Sequence, residues 1–298
     1  MNAILGQTLA VLTAACFATV STVWSYVGKR IGSNSVTHIR LWLSVLPMIV
    51  VHYLFTGYLF PHFIDSTALV LFLISGVFGF AVADLFIFRS LILIGVRETL
   101  VILTLSPIFG ALISWFALDE TLTYLQILGI LVTVGGVMWV IYEEGQNRRK
   151  ANKVEKFGIP FALAGALAQA LANILSKGGL VLDVHPISGT YLRLMAGLLS
   201  VALFSILRKS FIDDFRKMRH VKLTALLFAA AMIGPIAGVI ISLYALTMAP
   251  VGIVTALIQV SPILLLPFDH FVLKKKITGK VVAGTFVAIG GAAILFLY

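Results

Sequence analysis

Charge is what this sequence has least of. Only 11% of its 298 residues are Asp, Glu, Lys or Arg, where a soluble globular domain carries about 25%. A soluble chain of this length needs polar side chains to cover its outside, and here they are too few. Cysteine is nearly missing as well. The single Cys16 excludes an intramolecular disulfide and a cysteine-rich metal site. The histidines (His38, His52, His62, His185, His220 and His270) are scattered, so they indicate no metal cluster. No glycine-rich loop ending in a lysine occurs, which argues against intrinsic ATP hydrolysis. No coherent set of nucleophile, base and ligands can be assembled, so neither an enzyme nor a cofactor is expected.

What is present is apolar. By the broad count 60% of the residues are hydrophobic, in runs near the roughly 17–25 residues that cross hydrocarbon. Ten spans are predicted, over 4–27, 34–56, 67–89, 93–117, 123–142, 157–179, 187–207, 222–247, 251–271 and 279–297. Unpaired backbone groups are costly in lipid, so each is expected as a continuous helix. The first run lacks a basic region before it and leads into further spans, so it reads as a span rather than a cleaved signal. The expectation is an all-α, multi-pass protein of the cell inner (cytoplasmic) membrane, with lipids as partners.

The chain also repeats itself. "LSPIFGALISWFALDETLT" (Leu105 to Thr123) returns 155 residues later as "VSPILLLPFDHFVLKKKIT" (Val260 to Thr278). Gly135-Gly136 pairs with Gly290-Gly291, and "VTHIRLWL" with Arg40 resembles "SGTYLRLM" with Arg193. The polar stretch "EEGQNRRKANKVEK" divides two groups of five spans. The domains are therefore placed at 1–145 and 157–298, with a basic linker at 146–156. A duplicated unit with an odd number of helices enters the membrane the opposite way up the second time. The fold expected is thus ten transmembrane helices as two inverted five-helix repeats.

The net charge of +10 would suggest nucleic acid in a soluble protein. Here all but Arg40, Lys177 and Arg193 of the 22 basic residues lie in or beside odd-numbered connectors, and no nucleic acid is required. The positive-inside rule puts those connectors in the cytoplasm and both termini outside. It also accounts for the acidic turn at Asp119-Glu120 returning as lysines. The basic linker and "RKSFIDDFRKMRHVK" are placed to touch anionic lipid heads.

The run from Glu98 to Ile141, "ETLVILTLSPIFGALISWFALDETLTYLQILGILVTVGGVMWVI", resembles the end of an EamA domain of the drug/metabolite transporter superfamily. The features that match are Ser106-Pro107, the acidic turn ending in Glu120, Leu122-Thr123, Gly129 and Gly135-Gly136. The second copy keeps Ser261-Pro262, Thr278, Gly284 and Gly290-Gly291, with Lys275 in place of the glutamate. The resemblance implies a ten-helix carrier of small organic solutes, often an exporter of amino acids or related metabolites. It implies a coupling proton or an exchanged solute as partner. The function expected is a secondary transporter, exporter or exchanger, working by alternating access between inverted repeats. A channel and a non-transporting membrane adaptor are the alternatives.

Several residues are candidates for the substrate cavity or for coupling. Asp84, ionisable inside a span, reads either as a proton-coupling or cation-binding carboxylate or as the partner of Arg89. Arg40 and Arg193 offer forked donors to an anionic group, or else snorkel to the surfaces from their helix ends. Glu98 and Gln259 are polar residues on spans whose regions form the cavity in proteins of the resembled family. Trp24, Gln169, Asn173 and Tyr244 add stacking and hydrogen bonds, or pack between helices. Pro107 and Pro262 loosen their helices and are either paired hinges or sites of static curvature.

Overall fold

In hydrocarbon the backbone satisfies itself within one segment, and the apolar runs of this chain fold as helices. The computed structural model describes residues 2–61, 65–93, 96–146, 158–264 and 278–297. The first helices are α1 (Asn2–Ile31), α2 (Ser33–Thr56), α3 (Ser66–Gly76), α4 (Ala83–Leu93) and α5 (Val96–Leu103). Next along the chain are α6 (Ser106–Ala117), α7 (Tyr124–Gln146), α8 (Gly158–Val181), α9 (Pro186–Leu207) and the short α10 (Phe211–Lys217). The chain continues with α11 (Val221–Ala231), α12 (Val239–Met248), α13 (Val251–Ile258), α14 (Ser261–Leu264) and α15 (Gly279–Leu297). Two π-helical stretches, Val77–Val82 and Met232–Gly238, join α3 to α4 and α11 to α12 without a break. Gly32 alone separates α1 from α2. Its φ of 90° lies in the left-handed region, where only glycine is unstrained.

The ten-span expectation is corrected here. Among the described residues eight helices are long and apolar enough to cross a membrane. The run expected at 93–117 is two short helices, α5 and α6, meeting at Thr104 and Leu105. The run expected at 251–271 is α13 and α14 up to Leu264. Proline is the physical reason. Pro107 and Pro262 occupy the second positions of α6 and α14, where the missing N–H and the ring bulk stop a preceding helix from running through. With eight long apolar helices the five-plus-five count fails, and the inverted repeat built on it is withdrawn. The linker at 146–156, apart from Gln146, lies outside the described residues, as do Lys274, Lys275 and Lys276.

Small residues let the helices approach closely. Phe72 of α3 is fully buried against Gly179 of α8 and Gly189 of α9, where added Cβ atoms would stand 2.6 and 2.5 Å from its ring. Ser75 on α3 donates to the Ala172 carbonyl of α8 at 2.7 Å and pairs with Ser176 at the same distance. Buried hydroxyl bonds of this kind hold helices together where lipid supplies no hydrophobic drive. Short α10 docks on α2 through a buried polar cluster. Asp214 accepts from Ser35 at 2.5 Å and faces His38 Nδ1 at 3.0 Å, while Trp42 Nε1 donates to His38 Nε2 at 3.2 Å.

The glycine pairs divide by face. A Cβ on Gly136 of α7 would sit 2.4 Å from the Ala288 backbone nitrogen of α15. One on Gly291 would sit 2.4 Å from that of Thr133. A Cβ on Gly135 or Gly290 would meet nothing from another element within 4 Å among the described residues. Gly136→Ala and Gly291→Ala are each expected to cost about 1–3 kcal/mol, because backbone atoms must give way. Gly135→Ala and Gly290→Ala should be neutral or stabilise by up to about 1 kcal/mol, through better helix propensity. Thermal unfolding of the four variants in detergent checks this. Equal midpoints for Gly135→Ala and Gly136→Ala would sink it.

Candidate functional site

The two proline breaks meet at one cavity of about 270 Å³. In an unbroken helix the Leu103 carbonyl would accept from the amide of residue 107, and Pro107 has no N–H to give. Gln259, at the end of α13, donates to that carbonyl at 2.8 Å. The Ile258 carbonyl is orphaned in the same way by Pro262, and it accepts from the Ser261 hydroxyl. Each break is thus repaired by a side chain, and the Gln259 amide joins the α5 break to the α13 break beside the cavity. Both prolines, candidates for hinges or for static curvature, stand at helix starts: Pro107 is buried, while the side chain of Pro262 lies outside the described residues.

Asp84, Arg40, Arg193, Gln259, Trp24, Gln169 and Asn173 all line this cavity. Two candidates do not come with them. The Tyr244 hydroxyl instead pairs with His185 Nε2 at 3.1 Å. Glu98 lies on α5, with its side chain outside the described residues.

The charges inside are unequal in their company. Arg40 donates through Nη2 to Asp84 Oδ2, joining α2 to α4. Its Cζ lies 4.7 Å from the Trp24 ring centroid, within cation–π reach. Arg89 is exposed, so the pairing of Asp84 with its sequence neighbour is replaced by one with a residue 44 positions away. Neither Arg40 nor Arg193 snorkels, for their relative exposures are 5% and 4%. Arg193 has no ion pair or hydrogen bond among the described residues, and its Nε is buried without a partner. Packing fixes it. Gly76 leaves room for the Arg193 backbone, and Gly79 lies where a Cβ would stand 3.2 Å from Nη2. The Phe80 ring lies 5.6 Å from its Cζ.

Both π-helical stretches contribute to the lining, through Gly79, Phe80 and Pro235. A π-turn shifts helix register and re-aims the side chains beyond it, and here Asp84 comes two residues after the first. Asp84 also lines a second cavity of about 260 Å³, which reaches Arg208 and Ser210 at the end of α9. The Arg40–Asp84 pair therefore stands where the two cavities adjoin.

A second ion pair has no counterpart among the sequence candidates. Glu120, in the turn between α6 and α7, pairs with Lys177 of α8 and accepts the Val251 N–H at 2.9 Å. Lys177 also donates to the Ala249 carbonyl at 2.7 Å. These bonds tie the α6–α7 turn, α8 and the α12–α13 turn together. Lys177 is visible in the sequence as one of three basic residues outside the connectors, and an unaccounted charge in a span is the signal that could have found it. The bond from Gln259 could have been found by asking which carbonyl Pro107 leaves without a donor.

Comparison with known proteins agrees with this architecture. Residues 4–142 and 156–297 each match the EamA-like transporter family. A solved crystal structure of a protein aligns with 98% of this chain and 95% of its own, at TM-score 0.72 and 17% identity, a likeness of fold alone. No curated protein matches the sequence.

Proposed function

The chain belongs to the EamA-like transporter family, and from that premise we propose that it is an exporter or exchanger of small organic metabolites, amino acids among them, in the cell inner membrane. The observation that carries this is the central cavity, which gathers three buried or half-buried ionisable side chains, Arg40, Asp84 and Arg193, between apolar helices. Ionisable groups buried among membrane-spanning helices are expensive and mark solute or ion paths. In this reading the solute occupies the cavity while the chain closes it on one side at a time. The Arg40–Asp84 pair, between the two cavities, is one closure, and the Glu120–Lys177 tie is the other. A proton or a second solute drives the cycle, and no catalytic step is part of it.

The test is counterflow in liposomes. Purified protein is preloaded with unlabelled solute and offered labelled amino acids, organic acids, polyamines and sugars, with and without a proton gradient. A carrier is expected to give a saturable overshoot for at least one of them. Flux that grows linearly with concentration and shows no overshoot would replace the carrier with a channel. No flux from folded protein across the panel would favour the adaptor.

A further inference from the structure

We propose, resting on the transporter reading above, that the central cavity selects a small organic monoanion and holds its carboxylate on Arg193. The argument is a balance of charge. The described ionisable residues lining the cavity are Arg40, Asp84 and Arg193. The first two neutralise each other. Arg193 is left with a full positive charge, since a guanidinium does not deprotonate in proteins, and it has no acidic or hydrogen-bonding partner among the described residues.

A buried charge without a partner is among the costlier things a fold retains. The Phe80 ring, 5.6 Å from Cζ, offers only the outer reach of a cation–π contact. The close packing nevertheless makes room for it, with Gly76 against its backbone and Gly79 beside Nη2. A buried, uncompensated guanidinium at a cavity wall is suited to a planar two-oxygen anion. Further donors stand by. Trp24 Nε1 is buried without a partner among the described residues, and Gln169 and Asn173, one helical turn apart on α8, line the same space. The remaining wall is mainly apolar, with Phe17, Leu100 and Val239. One free positive charge, a few neutral donors and apolar walls suit a carboxylate on a short hydrocarbon body.

This narrows the solutes proposed above to anions and sets aside amino acids, the zwitterions that one acidic and two basic interior residues would suggest. Asp84 is occupied by Arg40, so no free carboxylate among the described lining residues receives an ammonium group.

Four compounds sharing one branched chain test the proposal on the purified full-length protein: isocaproate, isocaproamide, leucine and isoamylamine. Isoamyl phosphate is added as a fifth. Binding is read by equilibrium dialysis and by ligand-induced rise of the thermal midpoint, with Arg193→Gln and Arg193→Lys beside the parent. Isocaproate is expected to bind the parent saturably, about ten- to a hundredfold more tightly than isocaproamide, the span of one charge-assisted bond. Arg193→Gln should lose that margin, and Arg193→Lys should keep part of it. The comparison of acid with amide needs no variant, so it stands even where Arg193→Gln fails to fold.

Equal binding of acid and amide overturns the proposal, as does isocaproate binding that survives Arg193→Gln. Tighter binding of leucine overturns it in favour of a zwitterion, and tighter binding of isoamyl phosphate in favour of a phosphate. Should the counterflow panel show flux for other solutes while no carboxylate binds, the transporter reading stands and this inference falls. Selective isocaproate binding without any flux would do the reverse.

Discussion

Asp84→Asn should lower the thermal midpoint of the purified protein more than Arg40→Gln and Asp84→Asn made together. The pair lies inside the bundle, with side-chain exposures of 6% for Arg40 and 18% for Asp84. Removing one partner of such a pair strands the other charge away from water, at a cost of about 3–5 kcal/mol. Removing both leaves two neutral amides, and most of that loss should return. Arg40 cannot escape the penalty by losing its proton, and its Nε already lacks a partner among the described residues. Thermal unfolding of the two single variants and the double variant measures the coupling. Additive losses would mean that the pair does not act as a unit. The proposed role as a closure adds a second readout, since the double variant should leak solute in the liposome assay where the parent does not.

Lys177→Met should be nearly as damaging, again by about 3–5 kcal/mol. The substitution keeps the length and apolar stem of the side chain while leaving the Glu120 carboxylate, 11% exposed, without its cation. The Ala249 carbonyl also loses its donor at 2.7 Å. Glu120→Gln added to Lys177→Met should recover much of the loss, because an amide oxygen can still accept the Val251 N–H that Glu120 now accepts at 2.9 Å. A midpoint for Lys177→Met within about a degree of the parent would show the tie to be solvated, where exposed pairs contribute roughly 0–1 kcal/mol.

The site is legible in part because membranes make polar residues conspicuous. In a chain 60% hydrophobic, Trp24, Arg40, Asp84, Gln169, Asn173, Arg193 and Gln259 stand out by being costly where they are, and all seven line one cavity. Tyr244 stands out equally and lies elsewhere, because an aromatic with a polar tip suits a helix end as well as a cavity. Pro107 and Pro262 are visible as places where a helix loses a donor. Their outcome as full breaks is hidden, since it requires Gln259 to reach the Leu103 carbonyl from another helix, 156 positions along the chain.

The sequence by itself determined the solvent of this protein and the family it belongs to. Charge scarcity and run length are direct consequences of what hydrocarbon admits, and the Ser-Pro and Gly-Gly landmarks lie along the chain where a family match can find them. The tertiary structure decided which runs are continuous, which glycine of each pair faces a neighbour, and which charge is cancelled. Those outcomes depend on how helices are rotated and offset against one another, and that arrangement has no local period. Arg40 and Arg193 read alike in sequence. Only the packing of α2 against α4, and of α9 against the π-helical stretch holding Gly79, gives one a carboxylate and leaves the other without one among the described residues.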